Sequence, residues 1–274
     1  MNKGYTLRKR LEDSPILLAP GVYDALSALL VERTGFEAAY VSGASISYTS
    51  LGLPDLGFVG LDDVSRVVER ISNVVALPLI VDADTGYGND INVRRTVKVL
   101  ETAGADAIQL EDQVFPKKCG HLEGKEVIEE KEMVAKIKAA VESRREALIV
   151  ARTDALAVVG VKEAIRRANL YLEAGADVAF VESPRTEEEL AEVGRLVKGL
   201  KMANMVEGGR TPLLSAKKLE ELGFHLIIFP GAAVRTIVRA LTEMLTTLKA
   251  DGTTERYLHR MIIFQELQKI LGGV

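Results

Sequence analysis

Three acidic residues are spaced as a cation site needs them. Asp82 and Asp84 alternate by two in Val81-Asp82-Ala83-Asp84-Thr85-Gly86. In a strand that spacing puts both carboxylates on one face, and Glu111, closing the next apolar run, reaches the same point. Clustered carboxylates repel one another unless a positive charge lies among them. A hard divalent cation, Mg²⁺ or Mn²⁺, held by carboxylates and waters meets that need. Zinc suits the chain less, because the only three histidines are His121, His225 and His259 and none is spaced as a zinc pair. The plainer reading of the same acids is helix capping and arginine pairing.

A second constellation follows the strand that ends at Glu111. Lys117-Lys118-Cys119-Gly120-His121 puts two lysines and a histidine around the only thiol of the chain. Such neighbours are expected to lower its pKa, and the glycines to let the loop move, so Cys119 is a candidate acid, base or nucleophile on a closing lid. Taken alone, a cysteine in a basic loop is more often incidental. Arg152 offers a planar fork for a carboxylate or phosphate, or a salt bridge to Glu182 or Asp154. Ser42-Gly43-Ala44 is either an anion-binding turn or an ordinary one. Tyr40, two residues earlier, faces the same side as Ser42 or sits in the core. Glu182 and Asn204 also fall at strand ends, and Glu207-Gly208-Gly209-Arg210-Thr211-Pro212 reads as a loop at the mouth.

These residues need elements to hold them together. Eight short apolar runs, at 16–20, 38–42, 78–82, 107–111, 147–152, 178–182, 201–204 and 225–229, alternate with longer stretches of helical spacing at 61–71, 93–102, 131–141, 162–173 and 187–197. Unbroken apolar strands with room for helical crossovers describe a parallel sheet covered on both faces. A helix-to-strand joint recurs four times, around Gly35, Gly104, Gly175 and Gly223, each placed for a left-handed residue past a helix end. An open doubly wound sheet is the runner-up, but no Gly-x-Gly-x-x-Gly turn follows the first run. The expected fold is a single (β/α)₈ barrel domain over 1–274, with chemistry at the C-terminal strand ends.

Composition narrows the function classes. With 274 residues, 47% hydrophobic and 27% charged, the chain has the apolar material for one large core. Thirty-five basic against 39 acidic residues, a net charge of -4, leave no basic field for nucleic acid. One cysteine suits a reducing compartment, residues 1–15 are too polar for a signal peptide, and no apolar run is long enough to span a membrane. A cytoplasmic protein is expected.

Together, Tyr40-Val41-Ser42-Gly43, Leu51-Gly52-Leu53-Pro54-Asp55, Asp82-Ala83-Asp84-Thr85-Gly86-Tyr87-Gly88, Glu111-Asp112-Gln113, the Lys-Lys-Cys-Gly-His run and Ala151-Arg152-Thr153-Asp154-Ala155 resemble the isocitrate lyase and phosphoenolpyruvate mutase superfamily along nearly the whole chain. The resemblance implies Mg²⁺-dependent cleavage of a 2-hydroxy di- or tricarboxylate to pyruvate and a second carboxylic acid. It implies Asp82 as a metal ligand, with Asp84 and Glu111 holding metal-bound waters. Ser42, Gly43, Ala44 and Arg152 would grip the carboxylate beside the hydroxyl. Tyr40, helped by Asp55, would take the hydroxyl proton, Cys119 would protonate the departing carbanion, and Gly120, His121 and Asn204 would bind its carboxylate. Glu182 is counted with the substrate-binding set.

Length and the lysine-rich lid resemble the 2-methylisocitrate lyases. Val181-Glu182-Ser183-Pro184 and Val206-Glu207-Gly208-Gly209 resemble instead the 2,3-dimethylmalate lyases and carboxyphosphonoenolpyruvate phosphonomutases. Phosphonomutase and oxaloacetate-cleaving activities are therefore the alternatives, and a catalytically silent metabolite- or partner-binding barrel the remote one. The stretch 254–272, rich in apolar residues, is expected to be an oligomerisation helix, which by resemblance is exchanged between subunits of a homotetramer.

Overall fold

A computed structural model describes residues 3–13 and 15–272. Eight parallel strands close into a barrel in chain order: β1 (Leu17–Val22), β2 (Ala39–Val41), β3 (Leu79–Asp82), β4 (Ala107–Glu111), β5 (Leu148–Thr153), β6 (Val178–Val181), β7 (Leu200–Asn204) and β8 (Leu226–Phe229). Closure is direct, with Leu17 opposite Leu226 and Pro20 opposite Phe229. Each strand coincides with one of the eight expected runs to within two residues at either end, and helices alternate with them, as a (β/α)₈ barrel requires. The helices expected from periodicity appear at Leu61–Ser72, Asp90–Ala103, Glu130–Ser143, Val161–Glu173 and Glu187–Leu196.

Two apolar layers hold the barrel. Inside, Tyr40, Ile80, Val150, Phe180, Met202 and Ile228 form a cluster joined by Leu7 and Leu11 of the first helix, Lys3–Glu12. Between sheet and helices lie Val181, Ala203 and Ile227, packed with Ala164, Ala168, Leu190 and Val193. Each large apolar side chain so buried contributes roughly 1.5–3 kcal/mol. The joint glycines Gly35, Gly104, Gly175 and Gly223 all have φ between 90° and 115°, conformations that a Cβ disfavours.

Residues Met1–Gly231 form one compact unit and Ala232–Val274 another. Within the second, the long helix is Ala232–Asp251. The stretch expected as one helix over 254–272 is instead a 3₁₀ helix, Glu255–Arg260, and a short helix, Phe264–Ile270. Gly252, with φ of 67°, ends the long helix, and Met261 is extended, so the hydrogen-bond ladder restarts rather than runs on. Of the apolar set there, Tyr257 is buried, while Leu258, Ile262, Ile263, Phe264 and Leu271 are exposed. Among the described residues no helix is long and apolar enough to cross a membrane.

Candidate active site

The three acids do converge, though by a different route from strand alternation. Asp82 ends β3, but Asp84 lies beyond the strand with a left-handed backbone, φ of 47°. Its N–H donates to Asp82 Oδ1 at 3.1 Å, and its carbonyl accepts from the Glu111 N–H at 2.9 Å, so the turn is tied to β4. A ligand atom from each of Asp82, Asp84 and Glu111 lies within 4.8 Å of the others, and all three residues are buried.

Charge here is out of balance. Asp55, Asp82, Asp84, Glu111, Asp154 and Glu182 are buried around three buried cations, Lys117, Lys125 and Arg152. Burial pushes Asp84 up to about 7, even though Lys117 Nζ stands 2.7 Å from its carboxylate. Burial also holds Glu111 well above the usual carboxylate range. Neither Glu111 oxygen accepts a hydrogen bond, and Arg152 Nη1, 3.2 Å away, is its ion-pair partner. Buried acceptors without donors, in an all-oxygen cluster lacking histidine and thiolate, fit a hard metal ion. The triad is a site that can hold one.

Gln109, which sequence reasoning passed over, organises the floor of this site. Its amide donates to Asp82 Oδ1 at 3.1 Å and accepts from the Tyr40 hydroxyl at 3.1 Å. A polar residue two positions before Glu111 in an apolar strand was the available signal. Burial, and then the charge of Asp82, raise the Tyr40 phenol well above its ordinary value. As it stands Tyr40 is a neutral donor, not a ready base. Asp55 is likewise engaged, as the ion-pair partner of Lys117.

Cys119 differs from the expectation. Burial dominates its environment and raises the thiol, with a hydrogen bond from the His121 backbone opposing. The two lysines act elsewhere: Lys117 on Asp55 and Asp84, Lys118 on the Gly124 carbonyl at 2.7 Å. The thiol is therefore protonated at neutral pH, which suits a proton donor rather than a thiolate nucleophile.

The turn that carries the thiol fits closely over Arg152. A Cβ on Gly120 would stand 2.6 Å from Arg152 Nη2 and from Glu182, so only glycine fits there. His121 Nδ1 accepts from the Arg210 N–H at 3.0 Å, which assigns its proton to Nε2, 3.4 Å from Glu182 Oε1. Burial lowers the histidine's pKa and keeps it neutral. The Arg210 contact also brings the 207–212 loop to the mouth, as expected.

Arg152 is in the salt-bridge arrangement that was one of its two readings. Nε and Nη2 bind Asp154 at 2.8 and 3.1 Å, while Nη1 faces Glu111 at 3.2 Å and Glu182 at 3.6 Å. Half of the fork is thus committed to Asp154. Glu182 is occupied by Ser183 Oγ at 2.7 Å and Asn204 Nδ2 at 3.2 Å, so it orients its neighbours. Asn204 Oδ1 is a buried acceptor with no donor. Ser42 caps the short helix Gly43–Ile46 through its side chain, which accepts from Ser45 N–H at 3.2 Å. A Cβ on Gly43 would lie 3.2 Å from Asp82 Oδ2, so this backbone passes directly over the triad, with the half-buried Ala44 next in the same turn.

A family model described as phosphoenolpyruvate phosphomutase matches residues 7–249. The chain belongs to this family. Within the phosphoenolpyruvate phosphomutase family it is 43% identical to 2,3-dimethylmalate lyase of Eubacterium barkeri, over 99% of this chain and 95% of that one. It is 48% identical to 2-methylisocitrate lyase of Aeropyrum pernix, over 98% and 87%. It is also 45% identical to the chloroplastic carboxyvinyl-carboxyphosphonate phosphorylmutase of Arabidopsis thaliana, over 95% and 79%. Its backbone matches a crystal structure of 2,3-dimethylmalate lyase with a TM-score of 0.94 at 39% identity, covering 99% of this chain and 92% of that one. Membership accounts for the shared barrel.

Proposed function

We propose that this protein is a metal-dependent carbon–carbon lyase that cleaves a 2-hydroxy di- or tricarboxylate, of the 2-methylisocitrate or 2,3-dimethylmalate type, to pyruvate and a second carboxylic acid. The observation that carries it is the meeting of a buried oxygen-donor triad and a protonated thiol on a turn pressed against Arg152. Relatives named as lyases, 40–48% identical over nearly the whole chain, support it.

Asp82, Asp84 and Glu111 would hold Mg²⁺ or Mn²⁺. When bound, the ion would offset the carboxylate charge that now raises Tyr40 and would draw electron density from the hydroxyl and its neighbouring carboxylate. Arg152 Nη1 and the Ser42-Gly43-Ala44 backbone grip that carboxylate. Tyr40, oriented by Gln109, would take the hydroxyl proton as the phenolate, its own proton having passed to solvent once the ion is bound. The C2–C3 bond then breaks, C2 becomes the carbonyl carbon of pyruvate and the electron pair stays on C3. Cys119 donates its proton to C3, and Gly120, His121 and Asn204 bind the departing carboxylate while the closed turn excludes water.

We further assign the second unit to oligomerisation, with the chain as one barrel domain plus this element in a homotetramer. Ile237, Val238, Leu241, Leu245 and Leu248 recur at three and four spacing on the Ala232–Asp251 helix and are all exposed. With a single cysteine that must stay reduced to donate a proton, we assign the enzyme to the cytoplasm.

The deciding assay supplies Mg²⁺ with 2-methylisocitrate, 2,3-dimethylmalate or oxaloacetate in turn, following pyruvate for the first two and oxalate for the third, with EDTA controls. Metal-dependent pyruvate from one of the hydroxy acids is expected. Oxalate alone would move the protein to the oxaloacetate-cleaving branch. Silence from all three would overturn the lyase assignment and make carboxyphosphonoenolpyruvate the next substrate to try.

A further inference from the structure

The carbonyl of Gly120 is fastened chiefly by one cation. Lys125 Nζ donates to it at 2.5 Å, while the single hydroxyl proton of Ser183, 3.0 Å away, is drawn to the nearer Glu182 Oε1 at 2.7 Å. Lys125 lies five residues further along the same loop, and its ammonium also stands 2.7 Å from Asp154 Oδ1. Its side chain is 1% exposed, an unusual place for a lysine unless both partners are satisfied there. Asp154 is itself immobilised. Its N–H donates to Asp112 Oδ1 at 2.8 Å, and Asp112 accepts from Thr153 Oγ1 and the Tyr171 hydroxyl and pairs with Arg167. A continuous polar chain thus runs from the barrel wall through Asp112, Asp154 and Lys125 to the turn that carries the thiol.

Asp154 has Arg152 as a counter-ion already. That arginine is shared with Glu111 and Glu182, so Lys125 adds charge to a cluster with more carboxylates than cations, and it also makes the bond to the Gly120 carbonyl. Gly120 has no room to shift toward Arg152 or Glu182, where even a Cβ would stand at 2.6 Å. The direction of its carbonyl consequently decides where Cys119 and His121 sit.

We infer that Lys125 is a positioning residue that latches the Cys119-Gly120-His121 turn shut over Arg152 by bridging the Gly120 carbonyl to Asp154. The role rests on the reading of Cys119 as the proton donor of the lyase reaction. The bonds that Lys125 makes are to the Gly120 carbonyl and Asp154, and its charge also bears on Glu182 and His121, so alkylation of the thiol rather than turnover alone reads its hold on the turn.

The test uses the single cysteine of the full chain as its own reporter. Iodoacetamide alkylation of Cys119, followed by intact mass between pH 7 and 10, needs neither substrate nor metal. Lys125→Met is expected to alkylate at least tenfold faster than the parent by the same factor at every pH, which marks access rather than ionisation. Lys118→Met, which removes a loop lysine whose ammonium bonds to the Gly124 carbonyl, is expected to react like the parent. A folded Lys125→Met protein with parent-like alkylation would overturn the latch. Where Lys125→Met does not fold, Lys125→Gln leaves a shorter neutral donor that cannot bridge the Gly120 carbonyl and Asp154 together. It is expected to alkylate about threefold faster, and a parent-like rate there overturns the proposal. If the substrate assay is positive, kcat of Lys125→Met falls at least tenfold, and an unchanged kcat beside fast alkylation overturns the positioning role. If no substrate is turned over, the lyase reading fails by itself while alkylation still reads the latch.

Discussion

The Lys117 ammonium lies 2.7 Å from the Asp84 carboxylate, so one member of the acidic triad already has a cation inside the protein. The same ammonium pairs with Asp55, and all three groups are buried. Removing one partner of such a cluster strands the others. Lys117→Met is therefore expected to lose about 3–5 kcal/mol in the metal-free protein. A divalent ion should restore more stability to the variant than to the parent, because it supplies the missing charge. Thermal melts with EDTA and with Mg²⁺ measure both quantities, and equal metal-induced shifts in the two proteins would refute the account.

Asp84 sets a pH dependence for metal binding. Its carboxyl, pushed up to about 7 by burial, binds a proton more tightly in the folded protein than in the unfolded chain. In the metal-free protein stability therefore falls as pH rises through the range from about 4 to 7, where the buried site must ionise. A metal ligand must be deprotonated, so the metal competes with that proton. The melting-temperature gain from Mg²⁺ should grow between pH 5.5 and pH 8, and a gain independent of pH would remove Asp84 from the site.

Cys119→Ser separates the proposed proton donor from the acidic triad. A hydroxyl is a far weaker acid than a thiol, so turnover of the hydroxy acid should drop by roughly 10²–10⁴. The Mg²⁺-induced melting shift should stay at the parental value, since Cys119 is not among the three acids that can hold an ion. Parental turnover in the serine variant would exclude the thiol from the reaction.

Gly120→Ala probes the fit of the turn. The added methyl would meet Arg152 Nη2 and Glu182 at 2.6 Å, neither of which can retreat without breaking an ion pair or hydrogen bond. A loss of about 1–3 kcal/mol is expected from the overpacking, with turnover lowered at least tenfold. Chemical denaturation and the pyruvate assay report the two effects, and a variant with parental stability and turnover would show that the turn does not close over Arg152 in solution.

Much of the architecture was legible in the chain. Eight apolar runs without alternation, joined by helical spacing and four repeated glycine joints, specify buried parallel strands, because each strand is covered on both faces and at those four joints the chain turns through a left-handed residue before the next strand. The acids were legible too, since strand ends are where a barrel gathers polar groups. What misled was local context. Around Cys119 the nearest charges in sequence are lysines, yet both reach away, and burial, which no spacing reports, raises the thiol. The single helix expected over 254–272 failed similarly, because an apolar set fits both a continuous helix and two short ones.

By itself, then, the sequence determined the barrel, the acids that can hold an ion and the residues of the thiol turn, for these follow from residue type and short-range periodicity. Only the tertiary structure decided the pairings: Lys117 with Asp55 and Asp84, Gln109 between Tyr40 and Asp82, and Lys125 between Asp154 and the Gly120 carbonyl. These contacts join residues up to 69 positions apart. They are set by which strand ends meet at the mouth and by how much water each group loses there, and both are properties of the closed barrel rather than of any segment within it.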